Sequence, residues 1–318
     1  MFLESFKITG LAVTQIFLLG AIGYFLLKRN ILSQEGLNSL SRLVIEITLP
    51  IWIFCQLVKD FSFTLYPDWW ILPLVSIAIT AIGLVVGAVF TGFMRGAQHK
   101  LQFLSLVTFQ NSGYLPLALV AALLPKDKVD SMFIYIFLFL LGFNLVVWSL
   151  GIYMLTFHQN KRFELGSLFS PPVIATLFSL IFIYLGLKNT LPEFIYKPLK
   201  MIGDCTLPLA LFVVGGNLAE IRLGHIDKKA IFLMILAKLI ILPFLGLILM
   251  MKFKMPELMG LLIVIQLTMP PATSLSLITR HYKKEDLLIS QGIFFGHIAS
   301  LITIPIFLSL YFTLSVVK

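Results

Sequence analysis

The sequence predicts an all-α polytopic membrane protein with ten transmembrane helices in two inverted five-helix repeats, helices 4 and 9 being broken and crossing. Three observations lead there. Of 318 residues, 59% are hydrophobic and only 12% charged, with a mean hydropathy of +0.99. A soluble domain carries about 25% charged residues, so this chain has half the usual supply for covering a wet surface. Ten apolar runs alternate with charged punctuation, and two separate features recur at one offset of half the chain. Composition excludes an ordinary soluble enzyme, a nucleic-acid-binding domain and a disordered chain. The net charge of +9 is scattered over short connections and forms no basic stripe.

At ~20 apolar residues per crossing, the runs read as spans over roughly 6–27, 37–58, 70–94, 101–124, 131–157, 171–187, 197–219, 230–251, 257–279 and 287–315. Span 1 ends at Lys28-Arg29 without a small-residue cleavage site, so it reads as a helix and not a signal peptide. Trp69 and Trp70 stand at the start of span 3, where interfacial aromatics belong. The longest connection, 158–172, divides the chain into repeats 1–158 and 159–318. Of 39 charged residues, 36 lie in connections or near helix ends, the exceptions being Glu46, Asp204 and Lys238. Lysines and arginines divide 13 to 10 between the two sides, which predicts extracytoplasmic termini and a cytoplasmic central connection. Cys55 and Cys205 both sit in apolar runs and read as small buried hydrophobes. No Walker, HExxH or GxSxG pattern and no metal-ligand spacing occurs, so neither an enzyme nor a cofactor is expected.

The repeat is legible in "EITLP" (46–50) and "DCTLP" (204–208), 158 residues apart. The same offset carries "NSGYLP" (111–116) in span 4 onto "MPPATS" (269–274) in span 9. Five spans per copy is an odd number, so the second copy enters the membrane from the opposite side. Such inverted repeats are a transporter signature, with sites at broken helices in matching positions of the two halves.

Span 4 clusters Asn111, Ser112, Gly113, Tyr114 and Pro116 mid-span, where lipid offers no hydrogen-bond partner. Span 9 sets Pro270 and Pro271 among Gln266, Thr268, Thr273 and Ser274. A broken helix presents free N–H groups and a positive dipole end at the midplane, which favours a small anion such as a carboxylate. Lys238 sits eight residues into span 8, where an ionisable side chain marks function unless it snorkels to the interface. Glu46 and Asp204 read equally as proton carriers, as caps for a helix break, or as partners of Lys238. Asn144, Asn217, Gln56 and His297 read as interhelical hydrogen-bonding groups.

The segments "GYFLLKRNILSQEGLNSLSRLVIEITLPIWIF" (23–54), "FQNSGYLPLAL" (109–119), "GDCTLPLALFVVGGNLAE" (203–220), "AKLIILP" (237–243) and "MPPATSLSLITRHYKKE" (269–285) together resemble the auxin efflux carrier family, in a bacterial form. Where the family pattern in span 4 runs Asn-x-Gly-x-x-Gly-x-Pro, this chain has Pro116 and Ala118 at the last two marked positions. The resemblance implies a scaffold of helices 1, 2, 6 and 7 that also forms a homodimer interface. It implies a moving transport domain of helices 3–5 and 8–10. It further implies a small organic anion as substrate, Asn111 and Pro270-Pro271 at its site, Lys238 as a supporting charge, and a possible coupling ion, H+ or Na+. It puts Glu46 and Asp204 in the scaffold. Two other functions fit the same pattern: an ion-coupled symporter of the bile-acid-carrier type for amphipathic anions, and a ligand-binding membrane sensor without net transport.

Overall fold

Helices form along the apolar runs, and several of them widen or break beside a proline that removes a backbone donor. The computed structural model describes residues 2–156, 169–221, 224, 226–253, 255–281 and 287–316. Most of the central connection, Ser167 and Lys318 lie outside these. The helices are α1 (Phe2–Lys28), α2 (Gln34–Asp60), α3 (Ile71–Thr91), α4 (Ala97–Thr108), α5 (Tyr114–Leu123), α6 (Lys126–Thr156), α7 (Pro171–Tyr184), α8 (Glu193–Ala219), α9 (Lys228–Lys252), α10 (Glu257–Thr268), α11 (Ser274–His281) and α12 (Leu287–Val316). Among the described residues the only β-type pairing is one isolated antiparallel bridge.

Among the described residues seven helices, α1, α2, α3, α6, α8, α9 and α12, are long and apolar enough to cross a membrane. The other three expected spans differ. Span 4 is split into α4 and α5, and span 9 into α10 and α11. Span 6 is α7, whose 14 residues reach about 21 Å at 1.5 Å per residue, short of the ~30 Å hydrocarbon layer.

Prolines explain the irregular turns. Pro50 cannot donate to the Glu46 carbonyl and crowds it. The helix relaxes into a wider turn over Val44–Thr48, and Leu49 N–H donates five residues back, to Val44 O. Pro243 follows an equivalent wide turn at Leu236–Ile241. Pro208 follows a hinge at Cys205, whose N–H turns to Ile202 O at 3.2 Å.

Small residues bring the helices together. A side chain at Gly23 would strike the Phe212 backbone, and one at Gly215 the Gly20 carbonyl, so α1 and α8 touch at backbone distance. The α2 helix packs on α6, α7 and α8, whereas α3 packs on α4 and α6, and α12 on α1, α9 and α10. Leu11, Leu18, Ile22 and Phe25 on α1, Val85 and Val89 on α3, Phe93 just past its end, and Ile174, Phe178 and Ile181 on α7 remain exposed. Apolar faces this extensive suit lipid better than water. One expectation fails: Cys55 is buried, but Cys205 is exposed at the α8 hinge.

Candidate substrate site

The two breaks meet. Span 4 leaves the helix after Thr108 and re-enters it at Tyr114, and span 9 leaves after Thr268 and re-enters at Ser274. Between these points Gln110 and Pro271 form the antiparallel bridge. Asn111 N–H donates to Pro270 O at 2.8 Å, and Ala272 N–H donates to Phe109 O at 3.0 Å. Proline is tolerated here because the ladder bonds come from the flanking residues, so the missing N–H of Pro271 is not needed. Room for its ring comes from Gly296 of α12, where a Cβ would lie 2.6 Å from Pro271 Cδ.

A continuous helix would join Asn111 N–H to Val107 O. That bond is absent, and both halves are satisfied from the second repeat. Pro270 O takes the N–H, and Lys238 Nζ donates to Val107 O at 2.9 Å. Lys238 is 1% exposed, so it does not snorkel; it caps the carbonyl end of α4, where a basic group opposes the negative dipole end. Gly83 and Gly87 let α3 close over this end, a Cβ at Gly83 falling 3.0 Å from Thr108 O.

Side chains complete the crossing. Asn111, Ser112 and Gln266 are buried, and Gln266 Nε2 donates to Ser112 O at 3.2 Å. Asn111 Nδ2, Gln110 Nε2, Gln266 Oε1 and Thr108 Oγ1 are buried without a hydrogen-bond partner. Gly113 starts α5 without a side-chain cap, and Tyr114 follows it in the first turn. Pro116 lies in that same turn, where its missing N–H costs nothing, so the break falls upstream of it at 109–113. Tyr114 packs both against the main core and against a small cluster of Leu37, Val44, Ala210 and Val213 from α2 and α8. Thr273 and Ser274 open α11, Thr273 O accepting from Ser276 N–H and Oγ.

Glu46 and Asp204 are elsewhere. Glu46 accepts from Arg42 at 3.0 Å and Asp204 from Lys200 at 2.6 Å, each an exposed i,i+4 pair. Neither caps its helix break, and neither is paired with Lys238 among the described residues. His297 Nδ1 bonds Ile293 O within its own helix rather than a neighbour. Gln56 does bridge helices, reaching Asp130 of α6 at 2.9 Å. Thr108 and Gln110 were legible only weakly: Gln110 adjoins Asn111, and Thr108 stands 158 residues before Gln266.

Discontinuous helices that meet across a polytopic bundle are a pattern found in membrane transporters. The family described as membrane transport protein matches the chain twice, over residues 10–164 and 156–308. The chain belongs to that family, the auxin efflux carrier group expected from its motifs, and carries two repeated units. Protein PIN-LIKES 7 of Arabidopsis thaliana is 21% identical over 320 residues, covering 77% of this chain and 80% of the relative. Uncharacterized transporter MJ1031 of Methanocaldococcus jannaschii is 25% identical over 210 residues, covering 64% and 67%. Protein PIN-LIKES 6 of Arabidopsis thaliana is 27% identical over 124 residues, 38% of this chain and 29% of the relative.

Proposed function

We infer that the chain is a secondary carrier that moves a small organic anion across the cell (inner) membrane by alternating access, holding it where α4–α5 crosses α10–α11. The substrate class is a carboxylate of the size of malonate, malate or an auxin-like acid. The observation that carries this reading is the pair of buried amide donors, Asn111 Nδ2 and Gln110 Nε2, left without partners at the crossing. A buried donor with no acceptor costs ~1–3 kcal/mol, and a carboxylate offers acceptors to both. Lys238 adds a basic group on the same break, engaged by one carbonyl and, among the described residues, by no carboxylate.

The architecture proposed for this carrier has ten spans, with α7 as a short span and α4–α5 and α10–α11 as broken ones. Five spans in each copy make the second copy inverted. Helices α1, α2, α7 and α8 form the scaffold and a homodimer interface; α3–α6 and α9–α12 form the moving body. The basic-residue bias of 13 to 10 supports extracytoplasmic termini. Lys238 and Gln266 support the site in this reading, and the exposed pairing of Glu46 with Arg42 and of Asp204 with Lys200 favours a role for the two acids away from it.

The test is uptake of labelled malonate into proteoliposomes, with and without H+ and Na+ gradients. Saturable flux that follows the malonate gradient alone is expected. Flux that requires Na+ would favour the bile-acid-carrier type of coupling. Saturable binding without flux would mean a sensor and end the carrier reading.

A further inference from the structure

A cavity of about 450 Å3 lies in the seam between α2, α6 and α8, apart from the crossing. Lys59, Lys126 and Lys200 line it, against Asp130 and Asp204. Lys200 and Lys59 are engaged by carboxylates at 2.6 and 3.4–3.7 Å, whereas Lys126 has no carboxylate partner among the described residues. Lys126 stands in the first turn of α6, the end where a cation is disfavoured by the helix dipole, so helix stability does not account for it.

The cavity is aligned with the crossing. Lys126, Val129, Asp130 and Phe133 line its α6 wall, and the same helical stripe continues downward through Phe137 to Leu140. Leu140 side-chain carbons lie 4.0 Å from where a Cβ of Gly113 would stand, at the break itself. From Phe133 to Leu140 is seven residues, ~10 Å at 1.5 Å per residue. That gap is filled from the opposite wall by Trp52 of α2, whose ring meets Phe133 edge-on at 4.9 Å and Phe137 at 5.4 Å. The Trp52 backbone is backed by Gly203 of α8, where a Cβ would approach within 2.9 Å.

We propose that this cavity is the port through which the organic anion reaches the crossing, with Lys126 attracting it at the mouth and Trp52 closing the floor as a gate. The proposal rests on the crossing being the substrate site. It needs only rotation of one indole ring and separation of α2 from α6, two helices that the carrier model assigns to different bodies.

Two measurements test it, both on full-length protein in proteoliposomes or detergent, with malonate as the probe. Lys126 is exposed, so Lys126→Glu leaves folding intact; it should raise KM for malonate several-fold with kcat unchanged, and Lys126→Arg should restore the parent KM. In a Cys55→Ser/Cys205→Ser background, Leu140→Cys lies beneath the gate and should react slowly with an anionic methanethiosulfonate. Adding Trp52→Leu should speed that reaction at least 10-fold while malonate still stabilises the protein thermally. An unchanged KM in Lys126→Glu, or equal labelling with Trp52 and with Leu at position 52, overturns the port while malonate binding remains sensitive to Asn111→Ala. Insensitivity to Asn111→Ala would overturn the crossing site itself, and the port with it.

Discussion

Two pairs of helix irregularities lie at the same half-chain offset, and they do opposite things. In the Thr-Leu-Pro pair of α2 and α8, the chain absorbs the lost bond within its own helix, by a wide turn at Val44–Thr48 and a hinge at Cys205. The nearby acids are exposed and paired one turn away with Arg42 and Lys200. In the α4–α5 and α10–α11 pair the helices open fully, and the freed backbone groups are exchanged between the two repeats. The side chains there are buried, and several polar atoms stay unpartnered. A proline in an apolar run therefore does not by itself make a site. Only the second pair leaves a carbonyl and an N–H that the local helix cannot recover, beside buried donors without a partner, and the proposed site rests on that difference.

That contrast can be broken at several points. The largest effect belongs to Lys238. Lys238→Ala removes the donor to Val107 O and a basic group on the break, so malonate flux should fall by more than 100-fold. Lys238→Arg should recover a fraction, because a guanidinium is larger and differently hydrated than an ammonium. Parent-like flux in Lys238→Ala would reduce the lysine to a packing element. Pro271→Ala comes next. It permits span 9 to re-form its helix, so flux at saturating malonate should drop several-fold while thermal stability rises or holds. The smallest effect is expected at Glu46→Gln. An exposed i,i+4 pair contributes little in water, so flux and KM should stay within about twofold of the parent. A larger loss would show that the two kinds of break are not functionally distinct.

Much of the fold was legible because lipid imposes a simple rule: runs of ~20 apolar residues must be helical. The repeat was legible because two motifs agreed at one offset. The span count was less so. Pro171–Tyr184 is too short to cross alone, and sequence hydropathy does not separate it from the longer spans. At the site, Asn111 and Pro270-Pro271 announced themselves as polar or helix-breaking residues in apolar runs. What could not be read was the reciprocal bonding of Asn111 N–H and Ala272 N–H, since it depends on how two distant segments are brought together. The expected open cradle of N–H groups is accordingly narrower, two of them being spent on the opposite break. The roles of Glu46 and Asp204 stayed open for a similar reason. A charge in an apolar run looks alike whether its i−4 neighbour neutralises it at the surface or a distant helix does so inside.

The most direct test compares the two kinds of break in one assay: malonate binding to purified protein, read as concentration-dependent thermal stabilisation, for the parent, Asn111→Ala and Glu46→Gln. Losing a hydrogen bond to a charged ligand in a dry site costs ~1.5–3 kcal/mol, or roughly 10- to 150-fold in Kd at 1.4 kcal/mol per tenfold. The crossing site predicts that weakening in Asn111→Ala alone, with Glu46→Gln binding like the parent. Equal affinity in the parent and Asn111→Ala, or an equal loss in both variants, would contradict it.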